Sequence, residues 1–187
     1  MPSFLDDRVD SDAILGNIRN IVEIESPSRH AAGVNRVLET IARSFEGTGA
    51  ASERELTADS FGDILLVRCD PTRNEPGILV LSHMDSRPDI ETTVTGKITR
   101  PPFVRGRGVD LVFDKAATIA KEIGFSLKRA PRVGGGSDGN FTVAMGIPTL
   151  DGLGVDGDGA HTNHEYMLFS SIEPRTRLLQ GLMEQLE

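Results

Sequence analysis

The sequence predicts an α/β fold, and three observations carry that expectation. Apolar residues recur at helical spacing in several separate segments, short apolar runs of strand length lie between them, and glycine and proline clusters punctuate the joins. Helices alternating with short apolar strands are the pattern of layered α/β architecture. The 187 residues are enough to bury a core, and 1–187 is read as a single domain.

In order, Ile14, Leu15, Ile18, Ile21 and Val22 follow Ser11, a suitable N-cap, and predict a first helix stopped by Ser26-Pro27-Ser28. Val34, Val37, Leu38, Ile41 and Phe45 predict a second, ended near Gly47 and Gly49. Phe61–Val67 and Ile78–Leu81 read as strands separated by the turn-rich Asp70–Asn74. Thr92–Thr95 and Lys97–Thr99 suggest a third extended piece around Gly96. Val112, Ala116, Ile119, Ala120 and Ile123 form another helical stripe, closed by Gly124. Asp138–Met145 predicts a short helix and Ile147–Leu150 a short buried strand. The last helix carries Ser170-x-x-Glu173, Pro174 in its first turn, and Leu178, Leu179, Leu182, Met183 and Leu186 on one face.

The net charge of -8 argues against a nucleic-acid partner, since phosphate binding needs a basic surface. Cys69 is the sole cysteine, so no intramolecular disulfide can form and a cytoplasmic setting is expected. The N-terminus lacks a basic region followed by an apolar stretch, so no secretory signal is expected. No run approaches the roughly 18 apolar residues that span a bilayer, and no membrane partner is expected.

The chemistry concentrates at Ile78-Leu79-Val80-Leu81-Ser82-His83-Met84-Asp85. Side chains at i and i+2 of an extended chain share a face, so His83 and Asp85 can point the same way. A metal-binding imidazole wants a carboxylate at its other ring nitrogen to fix its tautomer and raise its basicity. The same residues also suit a plain strand end with a solvated histidine and aspartate. In Gly134-Gly135-Gly136-Ser137-Asp138-Gly139-Asn140 a phosphate cradle is disfavoured, because no lysine follows the glycines and Asp138 would repel an anion.

The His-Met-Asp segment, the glycine loop and Gly157-Asp158-Gly159-Ala160-His161-Thr162-Asn163-His164-Glu165-Tyr166 together resemble the zinc aminoacylase and carboxypeptidase family. Arg100-Pro101-Pro102-Phe103 and Phe113-Asp114-Lys115-Ala116 make the glutamate carboxypeptidase branch the nearest resemblance. The resemblance implies a three-layer α/β/α mixed-sheet catalytic domain and two zinc ions. It implies amide hydrolysis that releases an amino acid from a small acyl-amino-acid or peptide substrate. His83 and His161 would be metal ligands, with Asp85 the catalytic-site carboxylate that orients His83. Arg100 would clamp the substrate carboxylate, and Ser137, Asp138 and Asn140 would line its pocket.

The chain also departs from the family pattern. Family members carry a Gly-x-x-Asp-x-Lys-Gly segment whose Asp bridges the metals, then a Glu-Glu pair supplying the general base and a further ligand. This sequence has no Glu-Glu dipeptide and no Asp-x-Lys-Gly. Ser86-Arg87-Pro88-Asp89 runs directly into a segment resembling the end of the lid domain, which implies an internal deletion. Most of the lid would be missing, with 87–108 a lid remnant or connector. Asp89, Glu91, Asp158 and Glu165 are the candidate substitute ligands, each also readable as a surface acid. The expected function is a metal-dependent hydrolase impaired or inactivated by loss of its base. The alternatives are a non-catalytic remnant or a small-molecule binding module. A truncated sheet also leaves apolar surface that a second copy can cover, so a homodimer is possible.

Overall fold

The computed structural model describes residues 5, 7–57, 61–85, 100–130, 135–160 and 162–186. They fall into two compact units. An N-terminal unit holds residues 12–57, 61–77 and 82–85; a C-terminal unit holds 5, 7–11, 78–81, 100–130, 135–160 and 162–186.

Helix α1 (Ser11–Val22) buries none of its residues fully, and Ile14, Leu15, Ile18 and Ile21 are half-buried along one stripe. Helix α2 (Ala31–Ser44) supplies the core of the N-terminal unit through Val34, Val37 and Leu38. Strands β1 (Ala51–Glu55) and β2 (Ile64–Arg68) form an antiparallel hairpin in the register Ala51↔Arg68 to Glu55↔Ile64. Leu65 and Val67 are half-buried, whereas Ile64 and Leu66 on the opposite face are exposed. α2 packs on β2. Gly62 is needed at that junction: a Cβ there would lie 2.3 Å from Val34 Cγ1.

In the C-terminal unit, α3 (Arg107–Glu122) lays Ala116, Ile119 and Ala120 against Leu178 and Leu182 of α5 (Ile172–Gln185). The two alanines present little bulk at this contact, and Leu5, Ile123, Phe125, Leu127, Leu150, Leu153 and Leu186 close round it. α3 ends as its glycine predicts. Gly124 has φ +86°, its N–H reaches Lys121 O, and Phe125 N–H reaches Ala120 O, the paired bonds of a Schellman motif. Short helix α4 (Gly139–Ala144) follows the glycine loop, and β3 (Gly157–Asp158) pairs antiparallel with β4 (Tyr166–Met167). A single 3₁₀ turn, Phe169–Ser171, leads into α5, whose first turn contains Pro174.

Three sequence expectations differ from the structure. Ile78–Leu81 lies outside any strand, with Leu79 73% exposed. A strand needs a neighbour for its row of amides and carbonyls, and no described strand pairs with this run. Ile147–Leu150 is also not a strand, consistent with Pro148 having no N–H for a ladder. Conversely, β1 was not expected. The extended piece around Gly96 lies outside the described residues, as do 87–99 of the expected connector. The described strands pair as two separate hairpins, and the mixture of helix and strand is α/β. Among the described residues no helix is long and apolar enough to cross a membrane.

Candidate metal and substrate residues

In the N-terminal unit the residues between α1 and α2 turn sharply. The His30 amide donates to Pro27 O at 2.7 Å, placing Ser28 at the corner of a turn just before α2. Asn35 on the first turns of α2 accepts the Asp63 amide through Oδ1 at 2.8 Å, which ties the helix to the entry of β2. Between these elements lies an open cavity of about 360 Å³ bordered by Ser28, Val34, Phe61, Asp63, His83 and Asp85. His83 Nδ1 lies 3.3 Å from Asp85 Oδ1, and the Ser28 hydroxyl donates to Asp85 Oδ2. The two carboxylate oxygens therefore face different partners, an imidazole and a hydroxyl. His83 is the more exposed of the pair, at 71% against 38% for Asp85.

Asp63 sits on the same cavity but is already engaged. Arg54 Nε donates to its Oδ2 at 2.6 Å and the Thr57 amide donates to its Oδ1 at 3.2 Å. The Arg54 hydrogen bond holds the Asp63 carboxyl below its ordinary value, with Thr57 and Asn35 acting in the same direction against a smaller desolvation effect. Such a stabilised carboxylate is a poor proton acceptor at neutral pH.

In the C-terminal unit the glycine loop and the Arg100–Phe103 segment are bound together. Arg100 Nη1 lies 3.0 Å from Asp138 Oδ1, and its guanidinium sits 5.7 Å from the centre of the Phe141 ring. Asn140, 9% exposed, donates from Nδ2 to Pro101 O at 2.8 Å and accepts the Ser137 amide at 2.9 Å. The Ser137 hydroxyl accepts the Gly139 amide at 3.1 Å. Arg100, Ser137, Asp138 and Asn140 thus converge. Their contacts divide the work: Asn140 and Ser137 hold the loop in shape, while Arg100 and Asp138 remain half-exposed at 43% and 51%. A carboxylate reaching Arg100 would compete with Asp138 for the guanidinium.

His161 lies outside the described residues. Asp89 and Glu91 also lie outside them. The base of the β3–β4 hairpin is anchored through Asp156: its amide donates to Ser171 Oγ, its carbonyl accepts Leu168 N–H, and its carboxylate pairs with Arg175. Among the described residues, no group of three or more His, Cys, Asp or Glu side chains is placed to hold a metal ion. Ser28 and Asp156 were not singled out from the sequence, and no local pattern marks either one. Their partners lie 57 residues away for Ser28, and up to 19 for Asp156.

Residues 46–185 match the family model of Peptidase family M20/M25/M40, and the chain belongs to that family. Over 100 residues the chain is 33% identical to Carboxypeptidase G2 of Pseudomonas sp. (strain RS-16). That stretch is 53% of this chain and 24% of the relative, so the chain spans about a quarter of the curated relative's length. No solved structure matches significantly.

Proposed function

We propose that this chain is a metallopeptidase-type amidohydrolase domain that keeps part of a zinc and substrate apparatus but does not turn over substrate by itself. The observation that carries this reading is the His83–Asp85 pair, whose geometry suits an imidazole ligand with its orienting carboxylate. His161 is the second proposed ligand. Arg100 is the proposed contact for a free carboxylate on an acyl-amino-acid or peptide, because a planar guanidinium matches that group and the glycine loop already presents it half-exposed. The relative's name, a carboxypeptidase, favours release of a C-terminal amino acid. The three-layer sheet and the loss of most of the lid belong to the same proposal, as does a second copy covering exposed Ile64 and Leu66.

The donor set does not fit a complete two-ion centre. A catalytic zinc takes three protein ligands plus water, and a two-metal site needs bridging oxygen donors as well. Among the described residues one proposed ligand, His83, lies beside a carboxylate and no group of three donors is present, and the sequence contains neither the Asp-x-Lys-Gly nor the Glu-Glu motif. A general base typically contributes about 10²–10⁴-fold to rate, so its loss would compound the loss of metal ligands by that factor.

The test is equilibrium dialysis against zinc, then an assay of N-acylated glutamate with and without chelator. Measurable zinc, but less than one ion per chain, and no chelator-sensitive hydrolysis are expected. Chelator-sensitive turnover that His83→Ala abolishes would overturn the proposal.

A further inference from the structure

We propose that Ser28 is a positioning residue that sets the ring orientation and tautomer of His83 through Asp85. The inference rests on the reading of His83 as a donor site and extends it to Ser28, which lies 57 positions from Asp85 in sequence. A carboxylate on a surface segment can turn about its terminal torsion, which is broad and nearly two-fold. Asp85 is held against this motion from one side. The Ser28 hydroxyl donates to Oδ2, and the other oxygen, Oδ1, lies 3.3 Å from His83 Nδ1.

Ser28 is itself built in. The Pro27–His30 turn fixes its backbone, α2 begins immediately after it, and the Arg29 guanidinium stacks 5.6 Å from the centre of the Phe61 ring. Of the two neutral tautomers, a fixed carboxylate oxygen beside Nδ1 favours the one with its proton on Nδ1. That leaves the Nε2 lone pair directed outward, the form able to coordinate a cation. Without the hydroxyl, Asp85 gains rotational freedom and His83 loses the bias.

The readout is the ¹⁵N shifts of His83 in the metal-free chain, followed to a pH at which they no longer change. The four histidines are distinguished by the spectrum of His83→Gln. Wild type is expected to show the Nδ1–H tautomer. Ser28→Ala should move the shifts toward the Nε2–H form, Ser28→Thr should restore the wild-type pattern, and nearly isosteric Ser28→Cys should fall between. Far-UV circular dichroism reports the fold of each variant; if Ser28→Ala unfolds, Ser28→Cys carries the comparison.

A folded Ser28→Ala with the wild-type tautomer, an Nε2–H tautomer in wild type, or a folded Ser28→Thr that fails to restore the pattern overturns the inference. Zinc binding separates this result from the proposed function. If wild type binds no zinc, that reading falls while the tautomer data still decide the role of Ser28. If wild type binds zinc, Ser28→Ala is expected to weaken it by about tenfold, the low end for loss of an outer-shell partner.

Discussion

Gly62→Ala should damage the N-terminal unit at the junction that shapes the cavity. A Cβ at this position would stand 2.3 Å from Val34 Cγ1 and 2.4 Å from Val34 Cβ. Carbon atoms pack best at about 3.5–4.0 Å, so the two chains must part by roughly 1 Å or more. Val34 is 7% exposed and sits on the buried face of α2 beside Val37 and Leu38, so it cannot simply swing into solvent. Forcing an extra carbon into packed surroundings costs about 1–3 kcal/mol. With a urea slope of about 2 kcal/mol per molar, the unfolding midpoint should fall by roughly 0.5–1.5 M. Far-UV circular dichroism is the appropriate probe, since the chain has no tryptophan and one tyrosine.

Gly77→Ala is the control. A Cβ there meets nothing within 4 Å, and Gly77 is not among the glycines with positive φ. Its midpoint should hold or rise slightly, by at most about 1 kcal/mol of stability from the stiffer unfolded chain. A Gly62→Ala midpoint at or above wild type, or a Gly77→Ala midpoint that drops equally, would refute the packing argument.

Two further outcomes are expected. Leu178→Ala opens the α3–α5 contact at a fully buried position and should cost about 2–5 kcal/mol in urea titrations; Met183→Ala, on the same helix but 48% exposed, should cost clearly less. Asp110 is held below its ordinary 3.8 chiefly by hydrogen bonds from Arg105 and Arg129. Its contribution to stability is therefore full above pH 3.8 and is lost as pH falls through the lower folded-state value. Asp110→Asn should remove that part of the acid dependence, and urea midpoints measured across this range in both proteins would check it.

The helices were legible because burial on one face writes a 3.6-residue period into the sequence, as in Val34–Val37–Leu38 and Ala116–Ile119–Ala120. The α3 terminus was legible because a left-handed residue favours glycine, and Gly124 supplies it. β1 was not legible: Ala-Ser-Glu-Arg-Glu is exposed throughout and carries no apolar alternation. Its extended form comes from pairing with β2, which no pattern within five residues records. Ile78–Leu81 shows the reverse case, an apolar run of strand length without a described partner strand.

At the candidate site, the i, i+2 spacing identified His83 and Asp85 as a pair because chain geometry alone can bring such side chains together. Family motifs likewise named the Arg100 segment and the glycine loop. Tertiary structure decided what each residue touches there. It joined Ser28 to Asp85, turned Asn140 into the lock between the loop and Pro101, and set Asp138 against Arg100. Local spacing specifies which neighbours can meet, whereas contacts across 38 or 57 residues exist only once burial has closed the intervening chain.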